Sequence, residues 1–91
     1  MDYKQQVIAD ELRDTMVEVL RLPIKPEEIN YDTPLVGEGL GLDSVDILEL
    51  VITIEQEYGI ELTIEQKEYF ASLDTLSSYI LSVLESRADA V

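Results

Sequence analysis

GEGLGLDSVDILEL, residues 37–50, is the stretch from which the rest of the chain is read. Three glycines within five residues lead to Asp43-Ser44, and an apolar segment with helical spacing follows at once. Either Asp43 or Ser44 can cap that helix, and Asp46 adds negative charge to its first turn, where the helix dipole favours it. The helix is expected to run to about Tyr58, with Gly59 as the residue that leaves it. With Ser44 at zero on a helical wheel and about 100° per residue, Leu50, Ile54, Ile47, Tyr58 and Val51 share one arc, roughly 240° to 340°. Leu48, Ile52 and Val45 occupy a second arc, roughly 40° to 100°, bordered by Ser44, Glu55 and Glu49. The first arc reads as a core face. A central helix can be apolar nearly all round, so both arcs could be buried. A small domain has little room to surround a helix, however, and the second arc reads better as a docking patch with an apolar centre and an acidic rim.

Working outward, residues 2–22 form an amphipathic pattern, with Ile8, Leu12, Met16, Val19 and Leu20 at three- and four-residue spacing and Pro23 and Pro26 ending it. From Pro23 to Asp43 no sustained period appears. A loop of that length is usually functional or ordered by its own side chains. Ile29, Leu35, Leu40 and Leu42 are its candidate anchors, and Pro26-Glu27-Glu28-Ile29 a candidate single turn. Thr63 and Gln66 have capping-box spacing, which predicts a short helix over about 64–71. A closing helix is expected after Asp74-Thr75, with Leu76, Tyr79, Ile80, Val83 and Leu84 as its apolar stripe, and residues 86–91 are expected to fray. No strand-like alternation is present. The expected fold is all-α, a small helical bundle of three longer helices and one short one, forming a single domain over residues 1–91.

The 91 residues carry 20 acids, 6 bases and no histidine, for a net charge of −14. Such a chain repels phosphate backbones, which argues against nucleic acid, and attracts basic partner surfaces. The asymmetry is local: no Lys or Arg lies between Lys25 and Lys67, a stretch that holds Glu38, Asp43, Asp46, Glu49, Glu55 and Glu61 among other acids. No apolar run reaches the length of a membrane helix, and the acidic N-terminus does not read as a signal peptide. A soluble, cytoplasmic monomer is expected. Without cysteine there is no disulfide, thiol nucleophile or thiolate metal site.

Catalysis by Ser44 would need a base, and the chain has no histidine to supply one. No motif links Lys4 or Lys67 to it. A carboxylate pair would need a cleft that a small bundle rarely encloses. DSVDILEL lacks the alternating oxygen ligands of a calcium loop, so no metal site is expected. What remains is a serine that is acted upon, at a helix start whose free N–H groups suit an attached phosphate. Its plain alternative is a serine that merely caps the helix.

Gly41-Leu42-Asp43-Ser44-Val45-Asp46, followed by Leu48-Glu49-Leu50 and Ile54-Glu55, closely resembles the motif of the acyl carrier protein family. The likeness extends over the first helix, the loop with Asp32-Thr33-Pro34-Leu35 and the closing helix. It implies that Ser44 receives 4′-phosphopantetheine from coenzyme A through a phosphopantetheinyl transferase, and that acyl groups ride on the arm's thiol as thioesters. It also implies that Asp43, Val45, Asp46, Leu48, Glu49, Ile52 and Glu55 meet partner enzymes such as acyltransferases and ketosynthases, in fatty-acid, polyketide or related lipid biosynthesis. The bulky Tyr69-Phe70, a long segment from Thr63 to Asp74 and the extra glycines look more like a specialised bacterial carrier. The competing reading is a carrier-fold interaction protein without the arm; an enzyme stands third.

Overall fold

The computed structural model describes residues 2–62 and 67–89. Three helices, α1 (Tyr3–Leu20), α2 (Ser44–Tyr58) and α3 (Leu73–Asp89), are joined by a long loop with a 3₁₀ turn at Pro26–Glu28 and by a segment with a second 3₁₀ turn at Lys67–Phe70. The expected α-helix over 64–71 is therefore a 3₁₀ turn in its described part; the Thr63–Gln66 capping box lies outside the described residues.

The helix starts have local causes, and the ends of α1 and α3 have causes of different range. Asp2 caps α1 by accepting the N–H of Gln5 at 2.9 Å. The helix ends at Leu20, before Pro23 is reached, because Arg21 takes a left-handed conformation with φ 53° and returns its N–H to Val17. At the start of α3, Ser72 and Thr75 bond reciprocally: the Thr75 N–H donates to Ser72 Oγ at 3.3 Å and the Ser72 N–H to Thr75 Oγ1 at 3.0 Å. That pair starts the helix at Leu73, ahead of the expected Asp74-Thr75, and brings the buried Leu73 into the core. At its other end α3 is helical through Asp89, past residue 86 where fraying was expected. Arg87 explains part of this extension, since its Nη1 donates to the carbonyls of Gly59 at 2.7 Å and Tyr58 at 3.4 Å, tying α3 to the end of α2.

α1 packs against both other helices. Its Ile8, Leu12 and Met16 are buried with Ile47, Leu50, Val51 and Ile54 of α2 and Leu73, Leu76 and Ile80 of α3 in one apolar cluster. Val19, expected in this stripe, is exposed instead, and Ala9 takes a fully buried place that its small side chain did not advertise. Tyr79, Val83 and Leu84 pack at the cluster's edge. The bulky pair in the second connection divides its work: Phe70 enters the core, while Tyr69 stacks on Tyr79 with ring centroids 3.9 Å apart.

The long loop is held from both sides. Ile29, Leu35 and Leu42 are buried as anchors and Leu40 is half-buried. The Leu35 N–H donates to Ala71 O at 3.1 Å and the Asp74 N–H to Tyr31 O at 2.9 Å. Tyr31 in turn donates its hydroxyl to Asp10 at 2.6 Å, and Arg13 lies 5.5 Å over its ring. The segment before Ser44 is thus moored to α1 and to the start of α3.

Candidate attachment site and docking face

Asp43 stands in extended conformation at the entry to α2, and its Oδ1 accepts the Asp46 N–H at 2.9 Å. Asp46 answers by accepting the Asp43 N–H at 3.2 Å. This reciprocal cap resolves which residue starts the helix: it is Asp43, so the cap does not use Ser44. Ser44 is the first helical residue, exposed, and its hydroxyl has no hydrogen-bond partner among the described residues. The hydroxyl sits beside the positive end of a helix dipole, where an ester phosphate is electrostatically welcome.

Burial divides the two apolar stripes of α2 cleanly. Ile47, Leu50, Val51 and Ile54 are between 1% and 6% exposed, whereas Val45, Leu48 and Ile52 are 66%, 48% and 47% exposed. The exposed three lie on the side of the helix that also carries Glu49, which is itself exposed. Ser44 begins the same helix, so hydroxyl, apolar centre and acidic edge are brought together. Glu55 is placed less freely. It is half-buried and accepts the Leu62 N–H at 3.4 Å, so it serves the chain leaving α2 as well as the rim. Asp43 and Asp46 are likewise shared between the cap and the surface.

Little neutralises this face. Among the described residues the ion pair is Arg13–Asp10, at 3.3 Å, within α1. No group of three or more carboxylates or other ligands among the described residues could hold a metal, and no helix among them is long and apolar enough to cross a membrane. Surface depressions lined by Arg13, Asn30 and Tyr31, and by Tyr69, Thr75 and Tyr79, include no residue of α2.

The loop residue Val36 escaped the reading of the sequence, and Gly39 was read there only as part of a flexible approach. Leu35-Val36 offered the signal, since of two adjacent apolar residues on an extended loop only one can face the core.

An exposed hydroxyl at a helix mouth without a partner among the described residues stands beside an exposed apolar stripe and an acidic margin. Comparison with known proteins shows the family. Residues 10–80 match the family model described as phosphopantetheine attachment site. The acyl carrier protein of Campylobacter hominis is 34% identical over 73 residues, covering 80% of this chain and 89% of that protein. The acyl carrier protein of Wolinella succinogenes is 36% identical over 73 residues, covering 80% and 92%, and that of Sulfurovum sp. 34% over 74 residues, covering 81% and 95%. The chain belongs to the acyl carrier protein family. It is a carrier, not a catalyst, and its prosthetic group is a covalently held 4′-phosphopantetheine.

Proposed function

We propose that Ser44 is the attachment point of the 4′-phosphopantetheine arm. We further propose that the chain, as one carrier domain in the cytoplasm, delivers acyl groups held as thioesters to enzymes of fatty-acid, polyketide or related lipid biosynthesis. The observation that carries the reading is the division of labour at the head of α2: Asp43 takes the cap, and the Ser44 hydroxyl is left exposed and unpartnered among the described residues. In loading, Ser44 Oγ forms the new phosphoester bond as the pyrophosphate bond of coenzyme A breaks and adenosine 3′,5′-bisphosphate leaves. The hydroxyl proton passes to a base on the transferase, since this chain offers no histidine and the neighbouring Asp43 and Asp46 are engaged in the helix cap. The acidic margin suits acyltransferases, ketosynthases and a transferase with basic docking surfaces, giving fast, weak, salt-sensitive contacts. A monomer that must leave each enzyme for the next needs such contacts.

The competing reading, an interaction protein that keeps the fold without the arm, leaves the free hydroxyl at the helix mouth without a use. Incubation with coenzyme A, Mg²⁺ and a broad-specificity phosphopantetheinyl transferase, followed by intact mass, separates the two. Wild type is expected to gain one arm and Ser44→Ala none, with helicity by circular dichroism nearly unchanged because Asp43 keeps the cap. An arm on the Ala variant, or none on wild type, would overturn the assignment.

A further inference from the structure

The loop that leads to Ser44 is built more tightly than a flexible approach requires. Gly37 and Gly41 both have φ near +70°, a left-handed conformation that side chains resist. Between them Gly39 lies against Pro34 so closely that a Cβ would overlap the Pro34 carbonyl oxygen. That same oxygen accepts the Leu40 N–H at 2.9 Å, and Leu35 O accepts the Leu42 N–H at 3.0 Å, closing an isolated parallel bridge between Val36 and Leu42. Each glycine therefore has a steric reason, and together they make a closed clasp. Leu35 and Leu42, its two roots, are buried; Val36, which follows Leu35 and bridges to Leu42, is 45% exposed, and Glu38 at the tip is exposed.

The bridge holds Val36 beside Leu42, two residues before Ser44. We infer that this clasp is a second lobe of the docking surface, with Val36 an apolar anchor and Glu38 a rim charge for the phosphopantetheinyl transferase that loads Ser44. The inference rests on the assignment of Ser44 and extends it to the loop. Two observations favour a partner of that chemistry. The lobe is tied to the head of α2 through the bridge at Leu42, two residues before Ser44, and the exposed Val45 follows Ser44 in sequence. Its charge is also of one sign, since no Lys or Arg lies between Lys25 and Lys67 to repel a cationic partner. Rigidity adds to this: a clasp closed by backbone hydrogen bonds and steric contact presents Val36 without an ordering cost on binding.

Loading kinetics followed by intact mass, with coenzyme A, Mg²⁺ and the broad-specificity transferase, test the inference on wild type, Val36→Ser, Val36→Ile, Glu38→Gln and Ser44→Ala, alongside thermal melts. Val36→Ser is expected to raise KM for the carrier about three- to ten-fold, with kcat and melting midpoint unchanged, and Val36→Ile to restore it. Glu38→Gln is expected to raise KM at low salt only, whereas the Val36→Ser effect persists at high salt. A Val36→Ser KM equal to wild type would sink the inference, as would a KM increase that comes with an equal loss of midpoint, which would make Val36 structural. Ser44→Ala keeps the two levels apart. If it stays unloaded while Val36→Ser behaves as wild type, only the loop's role fails; if it is loaded, the Ser44 assignment and this inference fail together.

Discussion

The two sides of α2 are made of the same residue types and have opposite fates. Ile47, Leu50, Val51 and Ile54 on one side and Val45, Leu48 and Ile52 on the other are all aliphatic, yet the first set is buried and the second is about half exposed or more. Hydrophobicity alone does not separate them. What does is the number of neighbours that a short chain can supply: α1 covers one side of α2, and the described residues leave the other open. An exposed aliphatic stripe is a standing cost in water. Its presence beside the free Ser44 hydroxyl is what supports the proposal that this side of α2 is a surface for other proteins to hold.

The largest expected effect falls on the inner side. Leu50→Ala or Ile54→Ala removes packed methyl groups and leaves a cavity, costing about 2–5 kcal/mol. Against the about 5–15 kcal/mol that holds a typical domain, and with −14 of net charge repelling itself, such a loss should unfold a large part of the population. Urea midpoints for both variants are the measurement. A loss under 1 kcal/mol would mean that the inner stripe is packed loosely, and the contrast between the two sides would weaken.

Much of this contrast was legible before any coordinates. The wheel placed the two stripes correctly because helical periodicity is a local property, and Gly59 marked the end of α2 through its left-handed φ of 65°. The loop anchors Ile29, Leu35 and Leu42 were also legible, as apolar residues in a segment without helical or strand period. What stayed hidden depended on contacts between distant residues or on unusual backbone. Arg21 ends α1 in a conformation that arginine rarely adopts, so Pro23 looked like the stop. Arg87 lengthens α3 by reaching the far end of α2. At the head of α2 the sequence allowed either Asp43 or Ser44 as the cap, and only the reciprocal bond with Asp46 decides it. The glycines looked like flexibility; the contact of Gly39 with Pro34 shows that they make stiffness.

Tyr58 offers a finer probe, since it closes the inner arc where α2 meets α1. Its hydroxyl donates to Glu11 at 2.8 Å. Burial, then that hydrogen bond, then the nearby negative charges of Glu11 and Glu57 raise its pKa well above the ordinary value near 10. Tyr31 shifts the same way, chiefly through its bond to Asp10. Because the folded state holds these protons more tightly than the unfolded chain, the stabilisation is complete below the unfolded value and is lost as pH rises above it. Melting midpoints should be level with respect to these groups up to about pH 9 and fall above about pH 10. Tyr58→Phe should reduce the steepness of that fall. An identical alkaline profile in the Phe variant would show that the α1–α2 contact does not depend on this hydroxyl.

The smallest stability effect is expected on the outer side, and there the comparison is most informative. Leu48→Ala and Ile52→Ala remove side chains that are 48% and 47% exposed, so each should cost less than half of what an inner variant costs. Loading of the arm should nevertheless slow in both, because the apolar centre of a docking patch contributes most of its binding. Glu49→Lys supplies the matching charge test. Glu49 is exposed and its side chain makes no hydrogen bond or ion pair among the described residues, unlike Glu55, so reversing it should slow loading at low salt and leave the fold intact. Urea midpoints and loading rates on the same set of proteins decide the matter. If Leu48→Ala and Ile52→Ala destabilise as much as Leu50→Ala and Ile54→Ala, both stripes are core and α2 has no docking face. If they are stable and load at the wild-type rate, the outer stripe is solvated surface, and recognition must be sought in the acids and the glycine clasp instead.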